Sequence, residues 1–443
     1  MENEKYFKSG PVWKSIFMMA VPSVVIILVM IFYNLADMFF IAMLEDTSQV
    51  AAISLVGPVF SVFAAVATMV GNGGCTTIAN AFGAKNLEEG KIYASLSIWF
   101  TIICGILASA LLLLAMNPML EFLGTTTDAW ESAKEYYFVL VAGAVFILLG
   151  NTLAMLVRAE GAVKESLIGN IMGTVINLVL DPVFILVFRM GAAGAALATV
   201  LGNVATTIYF FVYILHKANI ITLDIRYAMK RPAALGRILA IGLPNGIGSV
   251  LSGFASTFSN QLLAGYGTSA IAAMAAAGKG TMIIDFLVMA VCMGCQPLLS
   301  YSYGAGDFAR LKEVMKKLLI LLFGMGMTVM VLCLIFRQGL IGVFLKESVV
   351  ADLGTEMLSV LILSSPLIGI GYLITSYFQA INRPTEAIVI SVLRQGALLI
   401  PALYVMNFFW QIMGITWAYV VSTVLAVAVA MGMYVFQKKK EKR

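Results

Sequence analysis

Long apolar runs are the feature that most constrains what this chain can fold into. Stretches of about 20 mainly apolar residues recur along the whole length, and only 12% of the 443 residues are charged. A helix needs about 20 apolar residues to cross the hydrocarbon core of a bilayer, and lipid tolerates no unpaired backbone amides. The sequence therefore predicts an all-α integral membrane protein with twelve transmembrane helices. They are predicted at residues 16–44, 51–81, 92–116, 132–157, 166–188, 191–215, 235–263, 269–302, 315–337, 351–380, 385–408 and 412–436.

The distribution of Lys and Arg predicts how these helices are oriented. With a cytoplasmic N-terminus, 22 of the 28 basic residues fall in cytoplasmic segments and four fall outside. The positive-inside rule therefore places both termini in the cytoplasm of a multi-pass protein of the cell (plasma or inner) membrane. The net charge of +5 follows from this topology, and we expect no nucleic-acid partner.

The chain repeats itself at an offset of 219 to 222 residues. Pro22 in the first half corresponds to Pro244 in the second half, and Gly194 corresponds to Gly414. Each half holds six predicted spans, an even number, so the halves are parallel repeats related by an axis along the membrane normal. The predicted parts are a six-helix lobe at residues 1–215, a cytoplasmic linker at 216–234 and a second six-helix lobe at 235–443. Two such lobes are typical of transporters that work by alternating access.

Polar residues interrupt the fifth predicted span. Asn177 and Asp181 are four residues apart and share a helix face, and Pro182 removes the next backbone donor. A carboxylate within a span costs about 2.5–3.5 kcal/mol on insertion scales, so we expect it to have a function.

Three polar residues of the first half are predicted at one depth. Asp37, Asp181 and Thr199 each lie eight residues from an outer end of a span, or roughly 12 Å below the outer surface. Asn177 and Tyr33 lie one turn deeper. Oxygen ligands of this kind suit a hard cation such as Na⁺, and two close carboxylates also suit a proton. The sequence leaves both possibilities open.

Several motifs resemble those of the MATE (multidrug and toxic compound extrusion) transporters, and of their DinF-like branch in particular. They are Tyr33-Asn-Leu-Ala-Asp37, Gly83-Ala84-Lys85, Arg158-Ala-Glu-Gly161, Asn177-Leu-Val-Leu-Asp181-Pro and Arg394-Gln-Gly. The resemblance covers nearly the whole chain. It implies a secondary exporter that moves small cationic amphiphiles out of the cell against inward Na⁺ or H⁺.

The resemblance also implies roles for particular residues. Asp37, Asn177, Asp181 and Thr199 match the branch's cation-binding cluster. Tyr33, Tyr136 and Asn151 fall where the branch places polar residues near that cluster or its cavity. No catalytic residue and no cofactor is expected. The expected partners are amphiphilic substrates and the lipid bilayer, and the expected state is a monomer.

The second half departs from the first. Residues 254–256 read Phe-Ala-Ser, so the carboxylate that the other large MATE branch carries in span seven is missing. Lys279 and Asp285 lie within span eight and are expected to contact substrate or to pair across helices. Arg394 lies about nine residues into span eleven, where its long side chain could reach the cytoplasmic surface.

Three other functions are weaker alternatives. A flippase for lipid-linked or other endogenous amphiphiles would need a more basic central cavity. An intramembrane aspartyl protease is suggested only by Gly304-Ala-Gly-Asp307, and no partner aspartate is expected at matching depth. A channel fits asymmetric buried carboxylates less well than a stepwise transporter does. Cys292 and Cys295 have redox or zinc spacing but lack polar partners, so we interpret them as packing residues.

Overall fold

The computed structural model describes residue 7 and residues 10–43, 47–125, 127–345 and 348–440, leaving out the side chains of residues 34–39, 41, 42 and 47. The described residues form α-helices with short 3₁₀- and π-helical turns and no strand. The helices of the first half are α1 (Val12–Ala42), α2 (Thr47–Gly83), α3 (Leu87–Leu114), α4 (Met116–Phe122), α5 (Trp130–Ala142), α6 (Ala144–Ala159), α7 (Val163–Pro182), α8 (Gly191–His216) and α9 (Ile225–Lys230).

The second half is built from similarly long helices. They are α10 (Ala234–Ala264), α11 (Thr268–Gly304), α12 (Phe308–Phe344), α13 (Ser348–Leu361), α14 (Ser365–Ala380), α15 (Pro384–Val392) and α16 (Leu399–Lys440). A 3₁₀ turn joins α13 to α14, and a π-helical turn joins α15 to the α16 region.

Twelve spans follow from these helices. Within the described residues, ten helical stretches are long and apolar enough to cross a membrane. The pair α5 and α6, bent by 50° at Gly143, forms an eleventh. The last stretch is interrupted at Trp410 and Gln411, whose backbone angles are not helical, and therefore contains two spans. The predicted number of transmembrane helices is confirmed.

The chain divides into two compact units, each with its own apolar packing. The first comprises Met1–Gly10, Val21–Gly242 and Gly304–Gly306, and the second comprises Pro11–Ala20, Leu243–Tyr303 and Asp307–Arg443. In the first unit, buried side chains of α2, α5 and α6 cluster around Tyr137. In the second unit, a cluster forms around Met357 and Leu358 from α10, α11, α13 and α16.

The linker, residues 216–234, packs on the first unit. Its backbone carbonyls at Leu223 and Asp224 accept hydrogen bonds from Trp99 Nε1 (3.0 Å) and Ser95 Oγ (2.8 Å) of α3. Ile220 is fully buried. The linker thus extends the first unit along α3.

Candidate functional site

Two glycines bring α7 and α8 into close contact. A Cβ atom built at Gly202 would lie 2.7 Å from the carbonyl oxygen of Gly173 and 3.0 Å from the Cβ of Asn177. A Cβ at Gly173 would lie 2.8 Å from the carbonyl oxygen of Gly202. Small residues at membrane helix interfaces allow this approach of backbones. The side chains around the contact are therefore held against one another.

This contact joins three of the residues predicted from the sequence. Asn177 Nδ2 donates to Thr199 Oγ1 at 3.2 Å, and the hydroxyls of Tyr33 and Thr199 lie 3.1 Å apart. Asn177 Oδ1 is buried and finds no hydrogen-bond partner among the described residues. A buried carbonyl acceptor is costly to leave without a partner. A cation would satisfy it.

Asp181 lies one turn further along the same face of α7, and its side chain is fully buried. Helix α7 ends at Pro182 and continues as a π-helical turn, Val183–Val187, in which the Phe188 N–H donates to the Val183 carbonyl at 2.9 Å. Proline lacks the N–H that an α-helix needs, which accounts for irregular geometry here. The side chain of Asp37 lies outside the described residues.

A cavity of about 140 Å³ opens beside this cluster. Its lining comes from α1, α2, α6, α7 and α8 and includes Tyr33, Asn151, Asn177 and Thr199. The lining contains no Lys, Arg, Asp or Glu side chain among the described residues. The other lining residues are Ile26, Val29, Met30, Phe60, Gly150, Asn170, Ile171, Gly173, Thr174, Gly202, Asn203 and Thr206.

Four polar lining residues were not predicted from the sequence: Asn170, Thr174, Asn203 and Thr206. A periodic signal was present, because residues 170, 174, 177 and 181 form an i, i+4, i+7, i+11 stripe on α7, and residues 199, 203 and 206 form a similar stripe on α8. The structure places both stripes against one cavity.

Three of these side chains donate to backbone carbonyls of their own helices. Asn170 Nδ2 donates to the Ser166 carbonyl at 2.7 Å, and Asn203 Nδ2 donates to the Thr199 carbonyl at 2.9 Å. Thr174 Oγ1 donates to the Asn170 carbonyl at 2.9 Å. One N–H of each amide and the Thr174 hydroxyl hydrogen are thereby engaged, and the side-chain oxygens keep acceptor capacity. The cavity therefore suits a cation or a ligand rich in hydrogen-bond donors.

The remaining predicted residues of the first half have different surroundings. Asn151 lines the cavity, and its Nδ2 donates to the Ile147 carbonyl at 2.9 Å. Tyr136 is partly buried and packs against the apolar cluster around Tyr137, and it is not part of the cavity lining. The structure therefore brings Tyr33, Asn151, Asn177 and Thr199 to one cavity.

In the second unit the structure groups Asp285 with Arg394. Lys279 is exposed and Asp285 is half-buried, within electrostatic range of the Arg394 guanidinium. Arg394 stacks on the ring of Tyr372, with its Cζ 3.6 Å from the ring centroid. Its Nε and Nη1 are buried and have no hydrogen-bond partner among the described residues. The guanidinium thus packs inside the unit on an aromatic face.

A buried carboxylate at the end of α6 anchors the linker. Glu160 is only 2% exposed, and it accepts hydrogen bonds from the Tyr213 hydroxyl and from the backbone N–H groups of Asn219 and Ile220, both at 3.2 Å. Burial raises the pKa of Glu160 because desolvation penalises its charged form, and these hydrogen bonds partly offset the effect. Sequence analysis did not identify this contact, since its partners lie 53 to 60 residues away.

The side chains of the cluster around Asn177 offer oxygen ligands to a cation. Among the described residues of the chain, no group of three or more His, Cys, Asp or Glu side chains is placed to hold a metal ion. The five cysteines are free thiols, and four of them are buried. Amide, hydroxyl and carboxylate oxygens, as at Asn177, Thr199 and Asp181, are suited to Na⁺.

Comparison with known proteins gives consistent matches over the full length. The chain matches the MatE family twice, over residues 22–183 and 244–405, at the offset of the predicted repeat. Multidrug export protein MepA of Staphylococcus saprophyticus subsp. saprophyticus is 30% identical over 435 residues, which cover 98% of this chain and 96% of that one. MepA of Staphylococcus aureus (strain MW2) is 30% identical over 426 residues, which cover 96% and 94%. A solved outward-facing structure of a multidrug resistance MATE family transporter has the same fold, with a TM-score of 0.93 at 23% identity over 100% of this chain and 99% of the other.

Proposed function

We propose, from the premise that this chain belongs to the MatE family of transporters, that it is a secondary active exporter of small cationic amphiphiles coupled to inward Na⁺ or H⁺. The two relatives named MepA are multidrug export proteins, which supports drug-like substrates. The expected orientation has both termini in the cytoplasm of the cell membrane. The expected organisation has lobes at residues 1–215 and 235–443 joined by the linker, in a monomer.

One observation carries the assignment of the driving-ion site. The Asn177 Oδ1 acceptor is buried and has no hydrogen-bond partner among the described residues, beside Thr199 and one turn from the fully buried Asp181. We assign the cation to Asp37, Asn177, Asp181 and Thr199. A buried carboxylate requires a cation or proton close by, because removing its charge from water costs several kcal/mol.

The coupling follows from this requirement. A cation that enters from outside lowers the repulsion between the two carboxylates and satisfies the Asn177 acceptor. The irregular turn after Pro182 gives α7 a place to change its bend. We infer that this bend reshapes the neighbouring cavity and lowers the affinity for drug. The cation must bind the two conformations with different affinity, since equal binding shifts no equilibrium.

The acceptor-rich cavity supports a cationic substrate. Its polar lining presents amide and hydroxyl oxygens and no basic side chain among the described residues, so it suits an ammonium or amidinium group. We place substrate contacts at Tyr33 and Asn151, and at Tyr136 on the basis of the family resemblance alone. A flippase for a lipid-linked or other endogenous amphiphile is the alternative, and a cavity lining without basic side chains among the described residues favours it less.

In the second half, we propose that Lys279 and Asp285 help to determine which substrates are exported. The candidate ion ligands all lie in the first half. Asp285→Asn and Lys279→Gln should therefore change which compounds are exported more than they change the dependence on the ion gradient. Dye efflux measured with several dyes under one fixed gradient separates the two effects.

The deciding experiment compares driving ions in proteoliposomes. Dye efflux is measured with an imposed Na⁺ gradient and, separately, with an imposed pH gradient. If Na⁺ drives transport, Asn177→Leu and Thr199→Val should weaken coupling, because their neutral oxygens coordinate Na⁺. If protons drive it, only Asp37 and Asp181 should be essential, since amides and alcohols do not titrate near neutral pH. A rate of dye efflux that depends on neither the Na⁺ gradient nor the pH gradient would contradict the proposal.

A further inference from the structure

A second cavity, remote from the cation cluster, lies within the second unit. It has a volume of about 340 Å³, within the usual range for a ligand pocket. The first turns of α12, the last turns of α16 and Tyr377 of α14 line it. We call it the α12/α16 groove, and its lining residues are Phe308, Leu311, Lys312, Met315, Tyr377, Tyr434 and Lys438.

The floor of the groove is apolar and aromatic. The rings of Tyr377 and Tyr434 meet edge to face, with centroids 5.0 Å apart. Leu311 and Met315 are buried beside them. At the mouth, Phe308 is 57% exposed. Exposed aromatic residues near the ends of membrane helices are typical of the interface between hydrocarbon and head groups.

Two lysines from different helices contribute positive charge to the groove. Lys438 Nζ lies 5.6 Å from the centroid of the Tyr434 ring, and Lys312 projects from α12. Among the described residues, neither lysine has a carboxylate within 4.0 Å. Lys317 is different, because it pairs with Glu313. Among the residues that the structure describes, the two lysines of the groove thus lack a carboxylate partner.

From this arrangement we propose that the α12/α16 groove binds one anionic phospholipid of the surrounding bilayer. Its phosphate lies between Lys312 and Lys438, and the upper part of an acyl chain lies on the apolar floor. The groove combines both requirements of such a lipid, since basic residues at helix ends attract anionic head groups and apolar side chains accept the chain. A soluble phosphate would use the lysines and leave the aromatic floor uncovered. This proposal does not depend on the transport function.

The test is lipid binding to the delipidated full-length protein, measured by native mass spectrometry. Phosphatidylglycerol is compared with phosphatidylcholine of identical acyl chains. The groove variant carries Lys312→Gln and Lys438→Gln. The matched control carries Lys316→Gln and Lys439→Gln, which remove the same charge from the same two helices outside the groove lining.

The expected result is a selective loss in the groove variant. A juxtamembrane lysine contributes about fivefold to the affinity for anionic lipid, so we expect roughly 25-fold weaker phosphatidylglycerol binding, against less than threefold in the control. Phe308→Asp adds a negative charge at an exposed position and should also abolish binding without unfolding the protein, as its thermal stability would verify.

Three results would overturn the proposal. Equal losses in the groove and control variants would indicate diffuse attraction by the basic helix ends. Equal binding of phosphatidylcholine would indicate a merely apolar groove. Displacement of phosphatidylglycerol by millimolar inorganic phosphate would assign the lysines to a soluble anion.

Discussion

The contact between α7 and α8 should control the affinity for the driving cation. Replacing Gly202 with Ala places a methyl group 2.7 Å from the Gly173 carbonyl oxygen, whereas ordinary contacts begin at 3.4 Å. Since the obstacle is backbone, the helices must separate locally by about 0.7 Å. The distance from Asn177 Nδ2 to Thr199 Oγ1, now 3.2 Å, would then approach 3.9 Å and the hydrogen bond would be lost.

The expected cost has two parts. Overpacking at a tight helix contact costs about 1–3 kcal/mol of stability. Losing one well-placed oxygen ligand costs about 1.4 kcal/mol of cation binding, which is a tenfold loss of affinity. The assay is thermal stability in detergent as a function of Na⁺ concentration and of pH, together with dye efflux from proteoliposomes.

Gly57→Ala is the matched control. Gly57 lies within α2 of the same unit, and a Cβ there meets nothing within 4 Å. An alanine in a helix with open space around it is neutral or stabilises by up to about 1 kcal/mol. If Gly202→Ala kept the cation affinity and efflux of the unchanged protein, the close contact would not position the ligands and our reasoning would be wrong.

Three further predictions concern charge. Asp37→Asn and Asp181→Asn should each lower the rate of efflux by at least about 100-fold while drug binding persists. The double variant should be little worse than either single variant, as for residues that act as a unit. Full efflux by Asp181→Asn would refute the cation site. Because the pKa of Glu160 is raised in the folded state, the anchored linker binds a proton more tightly than the released linker, so the free energy of releasing it should rise as pH falls through that pKa. Hydrogen exchange of the linker amides, corrected for intrinsic rates, should show this dependence in the unchanged protein and not in Glu160→Gln. Reporter fusions should be cytoplasmic at Lys85 and Lys438 and external at Asp46, and a cytoplasmic signal at Asp46 would overturn the proposed number of spans.

Much of the architecture could be predicted because its signals are local. Each span is a run of apolar residues long enough to cross the bilayer, and that property needs no knowledge of its neighbours. The helix break after Pro182 follows from the missing N–H of one residue. The repeat could be read from the offset between Pro22 and Pro244. The sequence also showed that Asn177 and Asp181 share a helix face.

The surroundings of individual side chains could not be predicted in the same way. Tyr136 packs against an apolar cluster, and this contact depends on how its helix is rotated relative to neighbouring helices. Arg394 was expected to have a structural role, but its partner, the ring of Tyr372, could not be predicted from the sequence. Asn170 and Asn203 carried a periodic signal, but their meeting at one cavity required the packing of two helices.

The sequence by itself thus determined the number of helices, their repeat and the polar face of α7, since hydrophobicity and helical periodicity act over one or a few turns. Only the tertiary structure decided that Thr199 meets both Asn177 and Tyr33, which lie 22 and 166 residues away along the chain. That meeting depends on Gly173 and Gly202 facing each other, because two backbones approach closely only where both helices lack side chains. The sequence of either helix alone does not determine such a contact between two distant positions.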